Sequence, residues 1–483
     1  MVKNKEISFW RYLAQFRFCE ALGSLGPVPE LKTGCQQWAC YRQGLFDMVI
    51  ASPWHEHSIP SGFAHAVSLA AIGRTDEARK IARRLCKSSL VFLFRHWLAR
   101  ALAPYDPALA LEVAQKDSRT LGLRVVLQSR HGSQNEAEIL VKKAFEKGLP
   151  KRDPELHLLA SNFLTNNPPG RLDHLNQYIA SYNMSPLALK RSDRPPLVDN
   201  LIAANVLSHV SGPLVSILMT SYNTADRIGA ALEGLLAQSY RNIEIIVADD
   251  ASSDDTVAVL QCWAEKDCRI KYLRMPANVG TYVAKTEAFK VSQGEFVTCH
   301  DSDDWSHPQR LEMQVRPLLE NPQLVATTSK WIRLEDDGSY YARLVYPMLR
   351  LNPSSPLFRR EIVAREAGLW DAVRIGADSE FHSRLRLVFG KQAVRCISKP
   401  LTIGAHRENS LMTDSSTGYT SAGMSPIRLA YWESWARWHI RTLHEGQKPK
   451  LAPIEDGRRF FDAPESICVP TGDIKAALAS LGD

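Results

Sequence analysis

The spacing of apolar residues changes character about two-fifths of the way along the chain. Up to about residue 190 they recur at helical spacing, as in SGFAHAVSLAAIGRTDEARKIARRLCKSS (61–89), where two amphipathic runs flank a Gly73-Arg74 turn. From 214 onwards, short apolar runs rich in β-branched residues alternate with helical patterns; these runs are LVSILM (214–219), RNIEIIVAD (241–249) and GEFVTCH (294–300). The pattern predicts an all-α region followed by an α/β region.

The helical region carries a weak internal repeat. Its second helices are predicted to start near residues 75, 107, 135 and 171, a period of roughly 30 residues that is typical of stacked helical hairpins. The layout resembles a degenerate tetratricopeptide-like solenoid, and a mixed helical bundle is the alternative. Either form favours an interaction or spacer role, including contact with a protein partner.

The remaining boundaries follow from composition. Residues 191–213 are polar and proline-rich, which predicts a linker between a helical domain (1–190) and an α/β domain (214–415). A helical extension is expected over 416–483, where Tyr431, Trp432, Trp435 and Trp438 recur at helical spacing. We expect that helix to pack on the rest of the protein; lying on a membrane surface is the alternative.

Bulk composition narrows the functional classes. The net charge of +7 is spread along the chain without a Lys/Arg block, which disfavours nucleic-acid binding. The nine cysteines lie singly, with no CxxC pair, so neither a zinc site nor disulfides are expected. Without an 18-residue apolar run or a signal-peptide pattern, the sequence predicts a cytoplasmic protein with at most peripheral contact with the inner face of the membrane.

Acids and hydroxyls follow each predicted strand. The exits are TSYNTADR (220–227), DDASSDDT (249–256) and DSDDW (301–305). In a parallel sheet covered by helices on both faces, ligands bind beyond the carboxyl ends of the strands. No GxGxxG fingerprint or P-loop is present. Helix capping explains one acid per helix, but not three in DSDD.

A divalent cation explains the acidic cluster better. In an extended chain Asp301 and Asp303 point to the same side. Mn²⁺ and Mg²⁺ prefer such carboxylate oxygens, with phosphates and water completing the shell. The cluster therefore predicts a metal site that receives a phosphorylated ligand.

Residues 214 to about 410 resemble a family 2 glycosyltransferase with the GT-A fold. The matching blocks, in the family's order, are PLVSILMTSYN, NIEIIVADDASSDDT, ANVGTYVAK, GEFVTCHDSDDW, GADSEF and AHRENSL. The resemblance implies an inverting transferase that moves a hexosyl or N-acetylhexosaminyl group. The donor would be a nucleotide sugar, with UDP favoured. The acceptor would be a hydroxyl of a glycan, polysaccharide or lipid-linked glycan.

The resemblance also implies donor-binding residues. They are Thr220, Ser221, Tyr222 and Asn223 at the base and ribose, Asp249 on the base N–H, Asp250, Asn278, Gly280, Lys285, Asp301 and Ser302. Asp250 is expected to hold its loop. Glycine at 280 lets the backbone pass close to the nucleotide. Lys285 stands where many relatives carry arginine, so it would meet phosphate as a point charge.

The metal and catalytic assignments follow in the same way. Asp301 and Asp303 would bind Mn²⁺ or Mg²⁺, supported by Asp304, and His406 would complete the shell or contact the diphosphate. Relatives carry Glu-Asp where this chain has Ala377 and Asp378. Asp378 is the predicted general base, with Glu380 as the second candidate and a plain helix cap as the other interpretation of Asp378.

Three further points stay open at this stage. Trp305 and Trp370 flank the acidic motifs, where they could stack on a sugar or belong to the core. Ala377 and Lys285 allow a different class of protein, an inactive scaffold or carbohydrate-binding protein that acts through its helical region. A nucleotidyltransferase is disfavoured because no glycine-rich phosphate loop follows the first strand.

Overall fold

The computed structural model describes residues 2–88, 93–114, 117–407, 410–414, 416–420, 423–454 and 457–479. The first part of the chain is helical. Its helices are α1 (Val2–Ala14), α2 (Phe18–Leu25), α3 (Gly34–Arg42), α4 (Phe46–Ala51), α5 (Ile59–Ala71), α6 (Thr75–Cys86), α7 (Arg95–Leu102), α8 (Pro107–Ala114), α9 (Leu121–His131), α10 (Gln134–Glu146), α11 (Glu155–Ser161) and α12 (Pro168–Ala180).

From α5 onwards, consecutive helices pack in pairs. The pairs are α5 with α6, α7 with α8, α9 with α10, and α11 with α12. Local chemistry sets their starts: the Ser133 hydroxyl caps α10 by accepting from the Glu136 N–H, and the Asn167 side chain caps α12 by accepting from the Gly170 N–H. The second helices begin at 75, 107, 134 and 168, so the predicted hairpin layout agrees with the structure.

The second part of the chain alternates strands with helices. Its strands are β1 (Leu187–Leu189), β2 (Leu201–Ala203), β3 (Val215–Ser221), β4 (Ile243–Asp249), β5 (Ile270–Arg274), β6 (Phe296–Asp301), β7 (Trp305–Ser306), β8 (Ala326–Glu335), β9 (Tyr340–Tyr341), β10 (Arg350–Leu351), β11 (Leu357–Arg359), β12 (Val394–His406), β13 (Tyr419–Thr420) and β14 (Gly423–Met424). Its helices are α13 (Ile228–Leu236), α14 (Thr256–Lys266), α15 (Thr281–Val291), α16 (Arg310–Glu320), α17 (Arg360–Glu366), α18 (Ala377–Phe389), α19 (Pro426–His444) and α20 (Thr471–Ala479).

One large mixed sheet organises this half. Its order is β5-β4-β3-β6-β11-β8-β12-β7, with β9 and β10 also paired to β8. Strands β3, β4, β5 and β6 are parallel, whereas β11 is antiparallel to both of its neighbours. The register sets Ser221 beside Asp249 and Thr220 beside Asp301, so the polar strand exits meet at one edge. The predicted fold class, an all-α region followed by a mostly parallel α/β region, is confirmed.

The stretch predicted to be a linker has more order than its composition suggested. β2 lies inside it and pairs antiparallel with β1. Asn200, 1% exposed, connects the two ends of the hairpin loop: its side chain accepts from the Arg191 N–H and donates to the Arg191, Arg194 and Pro195 carbonyls. One buried amide satisfies several backbone groups, and this is why a polar, proline-rich segment folds here.

The two halves of the chain share their hydrophobic cores. One cluster joins Phe9 and Leu22 of the first helices to Phe381 of α18 and Trp435 of α19. A second joins α5–α12 to the chain around Tyr346 and to β12. The boundary predicted at 190 therefore divides elements along the chain but does not divide hydrophobic cores.

The aromatic helix near the C-terminus packs inward. Tyr431, Trp435 and Trp438 of α19 are buried, and the Trp432 Nε1 donates to the Gln43 carbonyl at 2.7 Å. α19 thus packs on the rest of the protein, and its buried aromatic side chains do not face outward. Within the described residues, no helix combines the length and apolarity needed to cross a bilayer.

Gly122, the second residue of α9, lets the Tyr346 ring approach the helix. A Cβ built there would lie 2.3 Å from Tyr346 Cζ. We expect Gly122→Ala to lower the free energy of unfolding by about 1–3 kcal/mol, because the ring must shift within a packed interface. Urea denaturation followed by tryptophan fluorescence measures this change.

Gly229 is the matched control, since it is also the second residue of its helix, α13. A Cβ there would meet nothing closer than 3.5 Å, at Trp263 Nε1. Gly229→Ala should be neutral or stabilising by up to about 1 kcal/mol, through helix propensity. Equal effects of the two substitutions would contradict the close packing of Tyr346.

Candidate active site

The carboxyl end of β6 carries the central acid of the site. Asp301 lies beside Thr220 in the sheet register. Its Oδ1 is 3.4 Å from the Lys285 Nζ, and its Oδ2 accepts a hydrogen bond from the Ser354 hydroxyl at 2.8 Å. Burial by itself would raise the pKa of Asp301, but the Lys285 ammonium and the Ser354 hydroxyl outweigh it and hold the pKa below its usual value. Asp301 is therefore a carboxylate at neutral pH.

The next two acids, Asp303 and Asp304, have different partners. Asp303 forms an ion pair with Arg407, whose Nε lies 2.8 Å from Oδ2. Asp304 is 3% exposed and accepts the Ala405 N–H at 3.1 Å. Burial, followed by the neighbouring carboxylates, raises the pKa of Asp304 well above its usual value. Asp304 therefore holds β12 against the turn.

Ser302 and the two flanking tryptophans are buried. Ser302 is 6% exposed, Trp305 2% and Trp370 4%. Trp370 packs against Phe381 with ring centroids 5.1 Å apart. Of the two interpretations of these tryptophans, core packing is the one that fits, and a sugar-stacking role is wrong for both.

His406 packs against the ring of Tyr341. Its ring stacks on Tyr341 with centroids 3.9 Å apart and planes 3° from parallel. Burial, then Arg333 and Arg130, lower the pKa of His406 to about 4, so the imidazole is neutral. Among the described residues, its Nδ1 has no hydrogen-bond partner and is buried.

Asp301, Asp303 and His406 are the side chains expected to bind a metal ion. Carboxylate oxygens of Asp301 and Asp303 suit Mn²⁺ or Mg²⁺ chemically, and a neutral imidazole nitrogen is a metal ligand too. Among the residues that the structure describes, no three His, Cys, Asp or Glu side chains come together as a metal-binding group. The predicted trio with His406 is thus not assembled here, because Lys285 and Arg407 hold the carboxylates and Tyr341 holds the imidazole.

The exit of β3 presents polar groups to the same edge. The Thr220 hydroxyl shares a hydrogen bond with that of Thr281 at 2.7 Å. Tyr222 is 50% exposed. Asn223 adopts a positive φ of 50°, and its Oδ1 accepts the Ser253 N–H at 2.9 Å. Asn223 thereby ties the β3 exit to the β4 exit.

Asp249 ends β4, as predicted, but its surroundings do not suit the contact with the base that was expected of it. It is 0% exposed, and its carboxylate accepts hydrogen bonds from the Ser221 hydroxyl at 3.1 Å and the Ser252 N–H at 3.0 Å. A contact with a nucleobase N–H needs an accessible oxygen, so that role does not fit this geometry. Asp249 instead fixes the loop that follows β4.

Asp250 holds the loop before α15, as expected. It accepts the Val279 N–H at 2.7 Å and the Gly280 N–H at 2.8 Å. Gly280 has φ of +81°, and a Cβ there would lie 3.2 Å from Arg374 Cγ, so this turn favours glycine. Arg374 also donates to the Asn278 backbone and side-chain oxygens. Asn278 is therefore bound within the protein.

Asp378 is the second residue of α18. The cap of α18 is Gly376, which has a left-handed conformation and no side chain, so the interpretation of Asp378 as a plain cap is wrong. Burial raises the pKa of Asp378, and the Lys285 ammonium opposes that shift. A carboxyl group whose pKa lies above its usual value is better suited to accept a proton.

Glu380, the second candidate base, is a structural residue. It is 0% exposed and contacts Arg384 Nη2 at 2.8 Å and His439 Nε2 at 2.9 Å. Although burial would raise it, these two partners lower the pKa of Glu380 to about 2. Both oxygens are committed inside the core, so Glu380 offers no accessible base.

Several site residues were missed from the sequence. They are Arg374, Arg407, Ser354, Arg333 and Tyr341. Arg407 directly follows His406, so a basic residue beside that histidine was a usable signal. Ser354 and Tyr341 lie in the segment between β8 and β11, which has no periodic pattern to predict its path.

About a third of the chain matches a known protein family. Residues 216–371 match the family model described as Glycosyl transferase family 2. The match contains β3–β6 with Asp301, Asp303 and Lys285. It ends before Asp378 and His406 and does not include the helical region.

Two curated relatives each match about a quarter of this chain. An uncharacterized glycosyltransferase of Haemophilus influenzae is 34% identical over 127 residues, which are 26% of this chain and 50% of that protein. The Escherichia coli UDP-Glc:alpha-D-GlcNAc-diphosphoundecaprenol beta-1,3-glucosyltransferase WfgD is 41% identical over 109 residues, 22% of this chain and 42% of that protein. The chain thus spans half or less of the length of these two relatives.

Among solved structures, S. aureus TarS 1–349 in complex with UDP-GlcNAc is 18% identical with a TM-score of 0.38. The superposition covers 48% of this chain and 66% of that one. The identity and the TM-score are both low. The description of the fold therefore rests on the strands and helices of this protein.

The environment of Glu380 predicts a large effect on stability. Glu380→Gln leaves Arg384 buried without its counter-charge, so we expect the free energy of unfolding at pH 7 to fall by about 3–5 kcal/mol. Because the folded pKa is depressed, this stabilisation is present above the ordinary pKa and is lost as the pH falls through about 2. The difference between wild type and variant should therefore shrink below about pH 4.

Chemical denaturation across this pH range measures the effect, with Glu366→Gln as control. Glu366 also pairs with an arginine, Arg365 at 2.8 Å, but is half exposed, so its loss should have little effect on stability. A Glu380→Gln protein as stable as the control would contradict the buried ion pair.

Proposed function

We propose that this protein is an inverting glycosyltransferase that moves a sugar from a nucleotide-sugar donor to an acceptor hydroxyl. The observation that carries the proposal is the ion pair of Asp301 with Lys285, 3.4 Å apart at the carboxyl edge of a parallel sheet, with Asp303 two residues further on. Ligands bind at that edge in open α/β sheets. The family match over the same strands supports the reaction class.

The donor is proposed to be a UDP-sugar. Tyr222, half exposed at the β3 exit, offers a ring face to a base. Asn223 and Asp250 shape the loops on either side. The Escherichia coli relative is named for a UDP-Glc donor and a diphosphoundecaprenol-linked acceptor. This similarity supports a UDP donor and a glycan or lipid-linked glycan acceptor for the present protein.

We propose that the diphosphate of the donor binds beside a metal ion, Lys285 and Arg407. Asp301 and Asp303 would hold Mn²⁺ or Mg²⁺, and His406 would be a hydrogen-bond partner of the diphosphate. When bound, the metal neutralises charge that develops on the leaving diphosphate. Lys285 and Arg407 keep two more cations at the same edge, and phosphate oxygens accept charge-assisted hydrogen bonds from such groups.

Asp378 is proposed to act on the acceptor. Its carboxylate takes the proton of the acceptor hydroxyl while that oxygen attacks the anomeric carbon. The bond from this carbon to the diphosphate oxygen breaks, and the electron pair leaves with the phosphate. A single displacement inverts the configuration at the anomeric carbon. The raised pKa of Asp378, due to burial, favours this proton transfer.

A catalytically inactive scaffold or carbohydrate-binding protein is the second candidate. Ala377 and Lys285 favour it, since both depart from the pattern of the family that the sequence resembles. A scaffold would show no transfer even if it binds the nucleotide.

Calorimetric titration of UDP, and then of GDP, with Mn²⁺ and again with EDTA tests the donor site. We expect metal-dependent binding of UDP that Asp303→Ala weakens at least tenfold, because one carboxylate ligand is lost. Asp193→Ala is the control, since Asp193 also pairs with an arginine but lies exposed on the β1–β2 loop. Binding of neither nucleotide by the folded protein would count against the transferase proposal.

Asp378→Asn tests the base. We expect kcat for UDP release from the bound UDP-sugar to fall by about 10²–10⁴-fold, with UDP affinity unchanged. In the wild-type protein the rate should decline as the pH drops through the pKa of Asp378, which lies above its usual value. Full activity in Asp378→Asn would assign the proton transfer to another group.

A further inference from the structure

The segment between β8 and β11, residues 336–356, is bound to the helical region by side chains of that region. Asn162 forms two hydrogen bonds with the Tyr340 backbone, accepting its N–H at 2.8 Å and donating to its carbonyl at 3.2 Å. Arg171, 2% exposed, donates to the Asp337 carbonyl at 2.9 Å. These contacts hold the first part of the β8–β11 segment as a neighbouring strand would.

The later part of the segment is held by two acids. Glu155, 7% exposed, accepts the Met348 N–H at 2.6 Å and the Leu349 N–H at 3.0 Å. The Tyr346 hydroxyl donates to Asp153 at 2.6 Å. Buried polar groups without such partners are costly, so the segment and the helices depend on each other.

The same segment reaches the candidate active site at two points. Ser354 donates to Asp301 at 2.8 Å, and Tyr341 stacks on His406 at 3.9 Å. Arg130 of α9 lies over the Tyr341 ring at 4.5 Å and donates to the Ala342 carbonyl at 3.2 Å. A continuous chain of contacts therefore joins the helical region to the imidazole.

We propose that the helical region completes the catalytic unit, and that Arg130 is a positioning residue which acts through Tyr341 on His406. This inference rests on the proposed function. The guanidinium fixes the position of the tyrosine ring through its cation–π contact and its bond to the next residue. The parallel ring in turn sets the plane of the imidazole and hence the direction of its unpartnered Nδ1. Misplacement of a substrate-positioning group by about 1 Å costs up to about 10²-fold in rate.

A double-mutant cycle tests the coupling. Arg130→Ala should lower kcat for UDP release from the bound UDP-sugar by about tenfold or more, and Arg130→Lys should recover most of it, because the cation over the ring remains. Tyr341→Ala should lower kcat similarly, and the double variant should be no slower than Tyr341→Ala. Arg83→Ala removes an exposed arginine paired with Glu112 on the helical region, and it should leave kcat unchanged.

Hydrogen exchange followed by mass spectrometry provides a readout that does not need activity. Arg130→Ala should speed amide exchange in residues 336–349 while β3 and β4 exchange as in the wild type. If the wild-type protein releases no UDP, the proposed function fails, yet faster exchange in this segment still supports the structural link. Unchanged exchange, or additive losses of kcat in the double variant, would overturn the role of Arg130.

Discussion

Three carboxyl groups within four residues at the end of β6 repel one another, and the structure around them is arranged to offset that repulsion. Asp301 is balanced by Lys285 from α15, and Asp303 by Arg407, which follows β12. Asp304 is buried, which raises its pKa, and it accepts the Ala405 N–H. Two cations thus hold the cluster together, and each comes from a different part of the chain.

This balance explains the positions of the surrounding elements. Lys285 is 4% exposed on α15 and pairs with Asp301, so α15 packs beside the carboxyl end of β6. Its charge also opposes the raised pKa of Asp378 at the start of α18. Asp304 accepts the Ala405 N–H, which fixes β12 beside the turn. A phosphorylated, metal-bound ligand would enter a site where charges of both signs are already present. Small shifts of Lys285 or Arg407 would therefore change the charge available to it.

The helical region belongs to this arrangement and is more than an attached spacer. Its side chains bind the backbone of the β8–β11 segment, and that segment contacts both Asp301 and His406. The two hydrophobic cores run across both halves of the chain. The helices and the sheet therefore stabilise each other, and the shape of the site depends on both.

The sequence by itself determined the order of elements and the location of the polar strand ends. Apolar periodicity distinguishes helices from strands, and parallel strands bring their carboxyl ends to one edge. This is why the sequence predicts Asp301 and Asp303 at that edge, whereas Lys285 is implied only by the resemblance to a known family. Only the tertiary structure decided which carboxylates are accessible. Asp249 and Glu380 look like site acids in the sequence but are buried among partners from distant residues such as Ser221 and His439. Burial and charge pairing depend on contacts between residues far apart in the chain, so a local sequence pattern does not predict them. For the same reason the sequence did not predict the hydrogen bonds from the helical region to the β8–β11 segment.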